Sequence, residues 1–104
     1  MPFLPPQKIV VGSTPDFTLN AQKDSVVWDI TGGTILLYLI KPDGTVLGPY
    51  TATITSGIGG IAHYQVATTV LNIRGSWYKQ WKVTVSSIVM WSEQIPFTVY
   101  RAAV

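Results

Sequence analysis

The sequence predicts an all-β chain, an antiparallel β-sandwich of seven to eight short strands. Three observations carry that prediction. Apolar and polar residues alternate with period two over much of the chain, as where Phe17, Leu19 and Ala21 alternate with Thr18 and Asn20. Turn-forming Gly, Pro, Asp and Ser clusters recur at a spacing of about 8–12 residues, as in sandwiches. No segment shows a sustained helical period; residues 68–74 suggest one turn at most. A small closed barrel is the alternative architecture.

The elements follow in order. Residues 1–7 hold Pro2, Pro5 and Pro6, which favour an extended polyproline arm. The sandwich then occupies residues 8–104. Residues 8–12 predict a short strand, and Pro15-Asp16 breaks the chain before the half-buried strand at 17–21. After a polar turn at 22–25, residues 26–30 resume extended structure with Val26, Trp28 and Ile30 on one face. Thr31-Gly32-Gly33 forms a bend before the most apolar run of the chain, Ile35 to Ile40. That run is too short for a membrane span, which needs about 20 apolar residues. Its β-branched and aromatic content favours a strand, and both of its faces are apolar: Ile35, Leu37 and Leu39 on one, Leu36, Tyr38 and Ile40 on the other.

Pro42-Asp43-Gly44 is a strong turn signal. The return segment is interrupted at Gly48-Pro49, which argues for an edge or a break, since proline gives the ladder no donor. Residues 51–55 alternate with Ala52 and Ile54 inward. The glycine-rich turn at 56–60 leads to a strand at 61–67 with Ala62, Tyr64 and Val66 inward and His63 and Gln65 outward. Residues 77–85 place Trp81, Val83 and Val85 inward and Gln80, Lys82 and Thr84 outward. Lys79 falls on the inward face, which predicts either snorkelling at the sheet margin or a bulge. Ser86-Ser87 is a turn, and strands follow at 88–93 and 95–101 with Phe97 and Val99 inward. The whole pattern is of immunoglobulin-like architecture without its cysteine pair.

Composition narrows the function. The 104 residues suit one domain, and cysteine is absent, which removes disulfides, thiol nucleophiles and thiolate metal sites. Residues 1–6 lack the basic and continuous apolar regions of a signal peptide, so a soluble protein made and assembled in a cytosol is expected. The net charge of +2 comes from scattered charges and does not suggest nucleic acid. Only 12% of residues are charged, against about 25% in typical domains, while four Trp and five Tyr are present. A small domain cannot hide so much apolar surface, and this is the composition of interface cores. A domain that lives against other protein is expected.

Catalytic and metal sites are not predicted. One His and singly spaced carboxylates offer no ligand cluster, and turns explain Asp16, Asp24 and Asp43. His63 has no acidic neighbour in sequence, and no Gly-x-Ser-x-Gly elbow occurs. Residues 57–62 match the loose G-x-G-x-x-A pattern, but β sequence follows and the residue about 20 positions on is Lys82, so no cofactor is implied. Among the tryptophans, Trp28, Trp77 and Trp81 fall on inward faces, while Trp91 is the outward aromatic. It suits an interface hot spot or, alternatively, a sugar platform.

The chain also resembles the N-terminal immunoglobulin-like domain of the phage baseplate upper protein family, found in tailed-phage structural proteins. Trp28-Asp29-Ile30-Thr31-Gly32 before the apolar strand, Lys41-Pro42-Asp43-Gly44-Thr45 and Thr51-Ala52-Thr53-Ile54 carry the likeness. It continues in Gly60-Ile61-Ala62-His63-Tyr64, Gly75-Ser76-Trp77-Tyr78 and Ile95-Pro96-Phe97-Thr98-Val99. Ser86-Ser87 stands where the family has a Gly-Lys turn. The resemblance implies a non-enzymatic structural virion protein, made in the bacterial host cytoplasm, whose partners are other virion proteins and copies of itself. A tail, baseplate, head-decoration or adaptor component all fit. The expected contact residues are Phe3, Leu4, Leu36, Tyr38, Ile40, Tyr50, Tyr78, Trp91 and Tyr100. A carbohydrate-binding module for host-surface glycans is the alternative.

Overall fold

The computed structural model describes residues 9–101; the proline-rich arm, with Phe3 and Leu4, and the last three residues lie outside the described residues. Those described are all-β, with no helix among them. Eleven strand segments occur: β1 (Ile9–Val10), β2 (Asp16–Asn20), β3 (Gln22–Lys23), β4 (Val26–Val27), β5 (Thr34–Ile40), β6 (Val46–Thr51), β7 (Thr53–Ser56), β8 (Ile61–Gln65), β9 (Gly75–Val85), β10 (Ile88–Trp91) and β11 (Ile95–Tyr100). A large sheet runs β1-β11-β9-β5-β6, with β10 also bonded to β9, and a small sheet runs β2-β8-β7. β3 and β4 form a separate ribbon. Every pairing is antiparallel except β1 with β11.

The segments outnumber the seven to eight strands expected, for local reasons. At 26–30 the ladder covers only Val26–Val27, because Asp24 and Ser25 both take positive φ and fold the chain back tightly onto β3. Val26 is consequently 66% exposed while Ile30 is fully buried, so the face expected to hold both is broken. The stretch after Pro49 changes sheets within two residues. Ala52 N still donates to Ile35 O of β5, and Thr53 already pairs with His63 of β8. The turn at 68–70 puts Leu71 into the core without forming a helix.

Turn chemistry acts as the sequence suggests. Thr45 N donates to Asp43 Oδ1 at 2.9 Å and Gly44 takes φ +92, closing the β5–β6 turn. The hydrogen bond from Thr45 holds the Asp43 carboxyl below its usual range, and bonds from Thr31 do the same for Asp29. Pro49 sits in β6, an edge strand, beside a register shift between Leu37 and Leu39. Gly60 takes φ +69 where a Cβ would lie 2.7 Å from Trp28 O, so the β7–β8 turn packs backbone to backbone against 21–28.

The two sheets share one core. Ile35, Leu37 and Leu39 of β5, Trp77, Trp81 and Val83 of β9, and Val99 of β11 meet Phe17 of β2 and Ala62 of β8. Contacts between the sheets include Phe17 against Phe97 and Tyr50 stacked on Tyr64, each with ring centres 5.2 Å apart. The result is sandwich-like, and the alternation in β5 is strict: its inward residues are buried and its outward apolar ones half-buried. Lys79 points inward without a bulge, since β9 keeps continuous register with β5 and β11. Its ammonium lies 4.4 Å from the centre of the Phe17 ring, and burial lowers its pKa.

Two outcomes test this packing. Leu37 has no exposed surface, so Leu37→Ala is expected to cost about 3 kcal/mol in urea unfolding. Lys79 gives a pH signature. Between its lowered folded pKa and the ordinary lysine value of about 10.4, the unfolded chain binds more protons, so stability rises with pH through that window. Tyr50, whose pKa burial raises, acts in the opposite sense above about pH 10. Unfolding curves of Lys79→Met should therefore lack the alkaline gain that the native chain shows relative to it.

Candidate interface on the outer face of the large sheet

Cross-strand register determines which side chains share the outward face of the large sheet. Leu36, Tyr38 and Ile40 of β5 stand opposite Lys82, Gln80 and Tyr78 of β9. Across β9, Trp91 of β10 is opposite Lys82, and Pro96 of β11 is opposite Tyr78. On the other flank Val46 of β6 is opposite Ile40. Tyr100 follows the inward Val99 and so shares this face. Six of the expected contact residues thus share this face: Leu36, Tyr38, Ile40, Tyr78, Trp91 and Tyr100.

The centre of the face is an aromatic cluster. The Trp91 and Tyr38 ring centres are 5.4 Å apart with planes inclined at 37°, and Lys82 Nζ is 5.3 Å from the centre of the Trp91 ring. Gln80, opposite Tyr38 on β9, donates through Nε2 to Ser92 O at 2.9 Å. Around the cluster Trp91 is 52% exposed, Val46 58% and Val89 48%. Lys82 is in no ion pair, for the one pair within 4 Å among the described residues joins His63 and Asp16. The face is therefore apolar and aromatic with a single cation among its named residues. Sequence reading overlooked Val46 and Val89, although each alternates with a neighbour that turns the other way.

Other expectations end elsewhere. Tyr50 pairs with Leu37 and points to the inner side, where it stacks on Tyr64 and packs against the core. It is placed apart from the outer cluster, because β6 shifts register before it pairs with Leu37. Phe3 and Leu4 lie outside the described residues. Trp77 is buried, its indole N–H donating to Ile73 O, and Trp28 is half-buried against the core.

His63 has a partner that sequence distance concealed. Asp16 Oδ1 lies 2.9 Å from His63 Nδ1, although 47 residues separate them, because β2 and β8 are neighbours. Both side chains are well exposed on the small sheet, and no hydroxyl is hydrogen-bonded to the ring's other nitrogen among the described residues. Geometry thus gives the histidine an orienting carboxylate but no nucleophile. No three His, Cys, Asp or Glu side chains cluster among the described residues.

No protein-family model matches the chain, and no curated protein matches it in sequence.

The exposed cluster should contribute little to folding. Trp91→Ala is expected to destabilise the isolated domain by about 1 kcal/mol, roughly the worth of one aromatic pair. Thermal unfolding checks this; a loss of several kcal/mol would mean that Trp91 belongs to the core.

Proposed function

We propose that this chain is a non-enzymatic structural protein that acts by multi-copy protein–protein assembly, as a component of a tailed-phage virion. The observation that carries the assembly reading is the outer face of the large sheet, where Tyr38, Trp91, Leu36, Ile40 and Tyr78 present apolar and aromatic surface around Lys82, the one cation among its named residues. Contiguous apolar surface rimmed by polar residues marks interaction sites. Trp and Tyr are also the residues that most often dominate binding energy. The inclined Tyr38 and Trp91 rings do not form the coplanar platform that a sugar-binding face would need.

The virion assignment rests on the resemblance of residues 17–100 to the baseplate upper protein domain. The strand order supports its immunoglobulin-like part, with β1-β11-β9-β5-β6 on one sheet facing β2-β8-β7 on the other. Tail, baseplate and head-decoration positions all fit a rigid sandwich with one adhesive face. The partners proposed are copies of the chain and neighbouring virion proteins.

Substitution on the outward side of β5 tests the reading. Leu36→Lys should leave a folded domain, because Leu36 faces away from the core, yet abolish association in sedimentation velocity. A native chain that stays monomeric at high concentration, alone and mixed with the virion proteins of its own phage, would overturn the proposal.

A further inference from the structure

A second feature lies at the open edge of the sandwich, bordered on one side by Trp91 of the outer face. There β2 of the small sheet and the β10–β11 junction of the large sheet stand apart, leaving a cleft of about 590 Å3. That volume lies within the usual range of ligand pockets. The cleft exists because the two strands flanking β9 on this side are discontinuous. β10 covers residues 82–85 and β11 covers residues 75–79, so Trp81 lies opposite the gap. Ser92 bridges the gap: its Oγ accepts from Trp81 N and its own N donates to Trp81 O, both at 2.9 Å.

The Trp81 side chain is the telling group. Its residue is 1% exposed, yet its indole N–H has no acceptor among the described residues. Nor is it sealed in, since no side-chain nitrogen or oxygen is left both buried and unpaired. Trp81 is among the residues that line the cleft, and the little surface it keeps points to its N–H opening there. Trp28 and Met90 add apolar wall, and the side chains of Asn20, Gln22 and Glu93 stand at the lining without hydrogen bonds of their own among the described residues.

We infer that this cleft binds a neutral pyranose ring, with the Trp81 N–H donating to a ring hydroxyl. The chemistry selects that class over its competitors. A sugar ring has an apolar C–H face for the indole and thioether walls and a rim of hydroxyls that donate and accept. The two amides and the carboxylate supply matching partners. No Lys or Arg lines the cleft, which disfavours an anionic ligand. A quaternary ammonium would suit the aromatic wall and Glu93, but it offers no acceptor to the Trp81 N–H and no hydroxyl to the two amides. Such a site adjoins the assembly face, since Trp91 borders both, and would read glycans through residues of its own.

Titration by 15N NMR tests the inference on the native chain. Trp81→Phe identifies the Trp81 indole resonance among those of the four tryptophans. Methyl glycosides of glucose, galactose, mannose and N-acetylglucosamine are the probes, with choline and free indole as competitors. At least one glycoside is expected to shift that resonance saturably, with Kd on the order of 1 mM. Asn20→Ala or Gln22→Ala, both exposed, should weaken binding about tenfold, which decides the matter should Trp81→Phe misfold. Three results would overturn the inference: no shift with any glycoside up to about 50 mM, a shift with choline or indole alone, or binding indifferent to both amide substitutions. None of these results bears on association, which Leu36→Lys reports separately.

Discussion

The pairing of β9 along both flanks is the constraint on which the rest of the structure depends. β5 runs the length of one flank, in register from Thr34 opposite Thr84 to Ile40 opposite Tyr78. β10 and β11 divide the other flank between them. A strand bonded on both sides has no freedom to slip, because a shift of one residue would send Trp77, Trp81 and Val83 to solvent and Tyr78, Gln80 and Lys82 into the core. The buried tryptophans make that slip costly, and Ser92 repairs the one place where the ladder is broken.

From this constraint the two faces acquire separate roles. Inward residues of β5 and β9 bury themselves against Phe17 and Ala62, and they account for folding. Outward residues remain half-buried or exposed although many are apolar. Leu36, Tyr38 and Ile40 shield one another and lean on Trp91, yet no second layer forms over them among the described residues. With so few charges in the chain, a second protein surface is the cover proposed for such a face. The gap opposite Trp81 is a different consequence of the same arrangement, a cleft produced by discontinuity rather than a face produced by continuity.

Local signals in this sequence were strong wherever side-chain type alone decides backbone conformation. The Asp43-Gly44 turn, the Gly-rich β7–β8 hairpin, the Ser86 turn with its positive φ, and the alternation of β5 and β9 were all legible. Signals that depend on a distant partner were not. The Asp16–His63 pair spans 47 residues, and the inward lysine needed the Phe17 ring from another sheet before its position made sense. Tyr50 looked like a surface aromatic until the register shift in β6 turned it onto Tyr64.

The division between sequence and structure follows from range. Period-two patterning, turn residues and the scarcity of charge by themselves determine an all-β chain with a two-faced central strand, because those effects act between neighbours a few residues apart. Which outward residues meet, where the strands leave a gap, and which residues line it were decided only by tertiary structure. They are set by strand order and register, and these minimise exposed apolar surface over the whole chain instead of within any one segment.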